Sequence, residues 1–339
     1  MAEPILIWGA GAIGGTVGAT LKRAGHDVTF VDIVPEHVAA IRDPARGLRI
    51  TGPVDPMTVV APAFTPGEVQ GKWKRIFLAV KAHHTADAAR ALLPHLAEDG
   101  YVLSLQNGLC ETIIAEIVGK ERTVGAFINF GADWIGPGEI MYGNRAAVVV
   151  GEIDGKVTPR LKELHGVMRV FEPEAILTED IWSYLWGKLG YGTLLFAQGI
   201  CDLGIADTLQ RPELLPLWRD LAGEVMDVAR GEGIAPRGFN GFDPSAFGAG
   251  GNEGKARESV AAMVAFNRPN AKTHSGIWRD LAVRKRRTEV DMQLVPIVEA
   301  GRKHGIACLK LSGLIQMIHE VEDGKRPLSD ANLDELNRS

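Results

Sequence analysis

Over the first half of the chain, short unbroken apolar runs alternate with stretches whose apolar positions recur at helical spacing. Residues 4–8, 27–31, 75–80 and 101–105 are apolar runs of strand length, and 13–24 and 85–96 are helix-compatible. Strands buried on both faces read as continuous apolar runs, so strand, crossover helix and strand in succession predict a parallel sheet covered on both sides. Residues 124–130 and 146–151 are β-rich and extend the same sheet. After about Leu177 the pattern changes. Thr178-Glu179-Asp180 offers a capping residue and first-turn acids, and the stretches 181–197, 213–232 and 277–304 are predicted helices. The glycine- and proline-rich segment 236–254 is read as a loop within this second half. The tail after Asp323 is polar and is expected to be peripheral.

Composition changes this picture little. With 339 residues, 46% hydrophobic and 23% charged, the chain has the balance of a soluble globular protein and the length for two domains. The predicted division is an α/β domain over 1–178, an all-α domain over 179–325 and a tail over 326–339. A net charge of −5 gives no case for nucleic acid or a membrane surface as partner. No run approaches the ~18–20 apolar residues of a membrane span, and Met1-Ala2-Glu3-Pro4 does not open like a signal peptide. Cys110, Cys201 and Cys308 form no metal-ligand spacing, and His83-His84 has no partner at such spacing. A reduced cytoplasmic protein without a metal is expected.

The first chemistry lies in Gly9-Ala10-Gly11-Ala12-Ile13-Gly14, which follows a strand and opens a helix. Gly9 permits a tight turn, Gly11 lets the backbone approach a pyrophosphate, and Gly14 allows close helix–strand packing. The N–H groups at the helix start, around Ala12 and Ile13, then face the phosphates. This is the fingerprint of a Rossmann domain. Asp32 ends the second strand, where a carboxylate accepts from the ribose hydroxyls and repels a 2′-phosphate. Ile33-Val34-Pro35-Glu36 supplies no cation, so NAD(H) is predicted over NADP(H). Lys81 and Asn107 follow the strands 75–80 and 101–105, which places both at the cofactor edge of the sheet.

Together with Val80-Lys81, Asn107-Gly108-Leu109, Trp186-Gly187-Lys188-Leu189 and Arg287-Thr288-Glu289-Val290-Asp291, the glycine motif resembles the ketopantoate reductase family along nearly the whole chain. That resemblance implies a Rossmann domain joined to an all-α C-terminal domain like that of 6-phosphogluconate dehydrogenase, with the active site between them. It implies hydride transfer between nicotinamide and a 2-oxo or 2-hydroxy acid. Lys188 would be the general acid/base, Asn107 a neighbour of nicotinamide and substrate, Lys81 a further site residue, and Glu289 a substrate-orienting carboxylate.

The chain departs from the family at Gly192 and Phe196, where relatives carry asparagine, and over His274–Asp280, where they carry a Ser-Met motif. A substrate other than ketopantoate is therefore expected, with His274, Ser275 or Arg279 replacing the missing contacts. Trp182, Leu185, Trp186 and Leu189 form an apolar stripe with Lys188 at its edge, where burial can lower an ammonium pKa. If 277–304 is one helix, Glu289 shares a face with Trp278, Ala282 and Lys285, and Arg284–Arg287 face all round it as a solvated surface. Three other readings stay open: a β-hydroxyacid dehydrogenase, a non-catalytic NAD(H) sensor, and oxidation of a polyhydroxy acid coupled to rearrangement. The expected partner is a small anionic organic acid, with a homodimer possible through the apolar helices after Val290.

Overall fold

The computed structural model describes residues 3–270 and 272–339. The chain divides into two compact units, Met1–Ile181 and Trp182–Ser339. The first begins with β1 (Ile5–Trp8), α1 (Ala12–Arg23), β2 (Val28–Val31), α2 (Pro35–Arg42), β3 (Leu48–Thr51), β4 (Met57–Val59) and β5 (Ala63–Phe64). It continues with β6 (Trp73–Leu78), α3 (Thr85–Leu92), β7 (Leu96–Ser104), α4 (Cys110–Val118) and β8 (Thr123–Ile128). It ends with β9 (Gly131–Gly136), β10 (Glu139–Asn144), β11 (Val148–Glu152), α5 (Pro159–Phe171) and β12 (Ile176–Leu177).

Eight of these strands form one sheet in the order β12-β11-β8-β7-β6-β1-β2-β5. From β5 across to β8 every neighbour is parallel, and β11 turns antiparallel to β8. β1 and β2 are buried at every residue, as a sheet covered on both faces requires. The chain winds outward from β1 to β5, then returns to β6 on the other side of β1. The β1–β6 junction is thus the switch point where a doubly wound sheet opens a crevice at its carboxyl edge.

Two features differ from the pattern reading. α3 stops at Leu92 because Pro94 cannot donate the next helical hydrogen bond; a 3-10 turn over Leu93–His95 follows and β7 begins at Leu96. Residues 48–59 and 131–144, not assigned from the sequence, form a second sheet ordered β4-β3-β10-β9. Its β9–β10 turn is Pro137-Gly138, with Gly138 at φ +79 as a proline-led tight turn needs. A Cβ on Gly138 would lie 2.7 Å from the Ala40 Cβ, so this turn rests directly on α2.

The second unit is helical: α6 (Ile181–Gln198, starting at the boundary), α7 (Ile205–Leu209), α8 (Leu215–Gly231), α9 (Glu253–Asn267), α10 (Gly276–Trp278), α11 (Val290–Lys303), α12 (Leu309–Glu322) and α13 (Ala331–Arg338). The single helix expected over 277–304 is broken. After α10 comes a π turn over Arg279–Val283, then an irregular stretch in which Lys285 has φ +49. Ion pairs decide this path. Asp280 accepts from Arg284 and Arg286 at 3.0 Å each, while Arg287 reaches Glu322 and Asp323 at 3.0 and 2.8 Å. The basic run is therefore held by specific carboxylates and not spread round a helix, and the shared helical face of Lys285 and Glu289 does not exist.

Segment 236–254 is a loop with two 3-10 turns, up to the start of α9. The polar tail is packed: α13 buries Leu333 and Leu336 completely. No helix among the described residues is long and apolar enough to cross a membrane.

Phe130, Tyr142 and Phe171 form an aromatic cluster with ring centroids 5.0–6.2 Å apart. The Tyr142 hydroxyl is buried there without a hydrogen-bond partner among the described residues. Removing it relieves a desolvated donor, so Tyr142→Phe is expected to leave stability unchanged or raise it by about 1 kcal/mol in denaturant unfolding. Burial pushes Tyr101, Tyr142 and Tyr191 from 10.0 up to about 12. Below pH 10.0 folded and unfolded chains both keep these protons; from there to about 12 only the unfolded chain loses them. Stability is therefore expected to fall as pH rises through that window, and phenolate absorbance to appear late in a spectrophotometric titration.

Candidate active site

The glycine loop joins β1 to α1 at the switch point. Gly9 adopts φ +100, and a Cβ there would sit 2.8 Å from the Ala79 carbonyl carbon and the Val80 nitrogen. At Gly14 a Cβ would fall 2.0 Å from the Gly9 oxygen and 2.9 Å from the side chains of Ala79 and Ile7. These two glycines are dictated by packing within the protein. Gly11 is different: a Cβ built there meets nothing within 4 Å. It is the N-cap of α1 with no side chain to cap the helix, so the first-turn amides have no side-chain cap. A cradle that only an added Cβ would obstruct, beside the positive end of a helix, fits a dinucleotide pyrophosphate.

Asp32 follows β2 and is half-buried. Its Oδ2 accepts from the Ala10 amide at 2.9 Å and its Oδ1 from the Val34 amide at 3.0 Å. It thus caps its own turn and ties down the glycine loop. Its described partners are amides and no cation, which leaves lone pairs on both oxygens for further donors. Ile33 beside it is 71% exposed.

Lys81 is half-buried and caps a 3-10 turn over Ala82–His84, while Asn107 is exposed just past β7. The sheet brings both to the edge that carries Gly9 and Asp32. Gln106, overlooked in the sequence reading, joins their loops: its Nε2 donates to the Val80 oxygen at 3.0 Å and to Thr85 Oγ1 at 2.8 Å. His37 was also overlooked. It is completely buried, with Nε2 2.8 Å from the Ala10 oxygen. The available signals were a glutamine directly after the apolar run 101–105 and a histidine on the apolar face of α2 with Val38 and Ile41.

In the helical unit, α6 has two unlike faces. A Cβ on Gly187 would meet the Arg237 oxygen at 2.0 Å, and one on Gly190 would meet Met226 and Phe242 at 2.6 and 2.8 Å. The 237–242 segment is laid across this side, with the Arg237 amide donating to the Ser183 oxygen at 2.9 Å. The other side is only partly covered: Tyr184, Lys188, Gly192 and Leu195 are all half-exposed, and the Arg237 guanidinium lies 5.4 Å from the centre of the Tyr184 ring. A Cβ on Gly192 would meet nothing within 4 Å. Phe196 does not belong to this face. At about 100° per residue it sits about 80° round from Lys188, whereas Leu195 sits about 20° away. Phe196 is 1% exposed and packs in the interior.

Glu289 is the N-cap of α11 and 7% exposed. Ser275, expected among substrate contacts, is 2% exposed; its amide donates to Gln198 Oε1 at 3.1 Å and its hydroxyl accepts the Trp278 amide at 3.1 Å. It is thus engaged in capping α10. His274 stacks on Trp278 at 4.1 Å and bonds Thr273 Oγ1 and the Asp202 oxygen at 2.9 and 3.2 Å. Gln198 lies ten residues beyond Lys188 on α6, about 15 Å along its axis. Arg279 is half-exposed at the start of the π turn.

The family model described as ketopantoate reductase PanE/ApbA matches residues 5–155, and that of its C-terminal domain matches 180–322. The chain is 30% identical to 2-dehydropantoate 2-reductase of Archaeoglobus fulgidus over 324 residues, covering 95% of this chain and 99% of that one. It is 26% identical to the Aquifex aeolicus enzyme of the same name, covering 95% and 98%. Among solved structures, a ketopantoate reductase from Ralstonia eutropha superposes with TM-score 0.78 at 26% identity, covering 95% and 99%. The complex of D-mandelate dehydrogenase with NADH and anilino(oxo)acetate shares the fold, with TM-score 0.82 at 23% identity over 95% and 99%. Fold, glycine cradle and relatives together define a nicotinamide-nucleotide-dependent oxidoreductase acting on CH–OH groups. The chain belongs to the ketopantoate reductase family.

The two kinds of glycine separate in experiment. Gly11→Ala should unfold within about 1 kcal/mol of the wild type yet bind NADH at least about tenfold more weakly in a fluorescence titration. Gly14→Ala should cost about 1–3 kcal/mol of stability by overpacking, whatever its effect on binding.

Proposed function

We propose that the protein is an NAD(H)-dependent oxidoreductase that interconverts a 2-oxo acid and its 2-hydroxy acid. The observation that carries this reading is the placing of Lys188 on the half-exposed face of α6, one turn from Gly192, in a chain whose other unit has the dinucleotide cradle. When bound, the nicotinamide supplies or accepts the hydride at the substrate carbon. Lys188 Nζ gives a proton to the carbonyl oxygen in reduction and takes it back in oxidation. Asn107 holds that oxygen or the nicotinamide amide, Lys81 adds positive charge at the cofactor edge, and Glu289 and Arg279 orient the substrate. Arg279 suits the carboxylate because its planar fork can bind both oxygens.

The preference for NAD(H) rests on Asp32. Its carboxylate has unused lone pairs for the ribose hydroxyls, no ion-pair partner among the described residues, and an exposed Ile33 next in the chain. A 2′-phosphate would meet a like charge there. The substrate class rests on Gly192 and Leu195. They give the lysine an apolar neighbourhood with room for a side chain, which favours 2-oxo acids whose substituent is larger or less polar than that of ketopantoate.

The test is turnover of NADH and NADPH in parallel against ketopantoate, phenyl-substituted and branched 2-oxo acids. NADH is expected to be preferred by at least about tenfold, with Asp32→Asn narrowing that ratio. Lys188→Ala is expected to lower kcat by about 10²–10⁴ on the best substrate. A Lys188→Ala enzyme with wild-type kcat overturns the assignment of the proton carrier, and ketopantoate as the best substrate overturns the reading of Gly192.

A further inference from the structure

Both backbone polar atoms of Ala10 are held from outside the glycine loop. Its N–H goes to Asp32 Oδ2 at 2.9 Å, and its C=O lies 2.8 Å from His37 Nε2. The other ring nitrogen of His37, Nδ1, accepts the Gly138 amide at 2.9 Å. An amide can only donate, so Nδ1 carries no proton; Nε2 does, and it donates to the Ala10 oxygen. The ring is 0% exposed and stands edge-on to Trp134, with centroids 6.1 Å apart. One buried imidazole therefore joins α2, the β9–β10 turn of the second sheet and the glycine loop.

The consequence comes from peptide geometry. In a planar trans peptide the C=O of one residue and the N–H of the next point in opposite directions. Drawing the Ala10 oxygen towards buried His37 turns the Gly11 N–H the other way, to the side of the loop away from the ring. Gly11 is the residue whose missing Cβ leaves open space. We propose that His37 is a positioning residue for the cofactor: through Ala10 it aims the Gly11 amide at the pyrophosphate. The second sheet contributes by fixing the tautomer that makes His37 a donor at Nε2. The proposal rests on the cofactor reading above, and its target is the diphosphate alone.

Two substitutions and two probes separate this role from a merely structural one. Glutamine places an amide where Nε2 stood, so His37→Gln keeps a donor to the Ala10 oxygen and loses the acceptor for Gly138. Asparagine places its amide where Nδ1 stood, so His37→Asn keeps the Gly138 contact and loses Ala10. Binding of ADP, which carries the diphosphate, and of adenosine, which lacks it, is measured by calorimetry alongside NADH and thermal unfolding. His37→Asn is expected to weaken ADP and NADH at least about tenfold while leaving adenosine within about twofold. His37→Gln should stay within about threefold of wild type for all three.

Equal weakening of adenosine and ADP by His37→Asn, or wild-type ADP affinity in that variant, overturns the proposal. So does a selective tenfold loss of ADP in His37→Gln, which decides the matter even if His37→Asn is too unstable to purify. Failure of the wild-type protein to bind NADH or NADPH overturns the cofactor reading itself, a result distinguishable from any of these.

Discussion

The first unit depends on how closely α1 lies on the sheet. Gly14 lets the helix backbone approach the Gly9 carbonyl, the Ala79 methyl and Ile7, distances at which no side chain fits. The same helix meets Ile140 of the second sheet at Gly15 and Phe30 of β2 at Gly18, where a Cβ would lie 2.3 and 2.4 Å from those side chains. Three contacts of this kind along one helix fix its height, rotation and axial position together. Because interiors are packed to crystal-like density, there is little slack to absorb a shift. The amino end of α1, and the cradle it forms, is therefore set by packing several residues away from any ligand.

That dependence explains which parts of the protein were legible in its sequence. The strands of the main sheet are apolar runs, and the glycine motif encodes both a conformation and an approach distance, so β1, α1, β2 and the Asp32 position follow from local pattern. The second sheet does not. Its β3 alternates buried and exposed residues over four positions, and β4 has three residues, too short for a periodic signal. It exists because β10 pairs in parallel with β3 from about ninety residues away. The glycine motif showed which residues line the cradle; His37 and Gln106, which bond the loops around it, were hidden because their partners lie 21 to 101 residues away along the chain.

The helical unit was misread where charge overrode periodicity. Residues 277–304 carry apolar positions at helical spacing, yet Asp280 is 3% exposed and draws in two arginines. A buried carboxylate left without partners costs several kcal/mol, more than the turn or two of helix interrupted to supply them. Glu322, which accepts from the Thr288 amide and hydroxyl at 2.7 and 2.8 Å, anchors the far end of the break. The break leaves Glu289 as the N-cap of a new helix instead of a mid-helix position, and so changes the direction in which its carboxylate can point.

Helix rotation likewise reorganises the argument about substrate. Gly192 and Phe196 look equivalent in the sequence because they stand at one and two turns past the lysine. Two turns are 7.2 residues, however, so a position eight residues on has rotated away from Lys188 while one seven residues on has not. The burial follows this rule: Leu195 is half-exposed on the lysine face and Phe196 is inside. The two changes therefore act differently. Phe196 fills the interior of the unit and removes a polar group that would need a buried partner there. Gly192 leaves space on the Lys188 side, and the apolar Leu195 lines the next turn. On the proposed function, any discrimination against ketopantoate by α6 is assigned to the Gly192–Leu195 face, while Phe196, buried in the unit's interior, acts on packing.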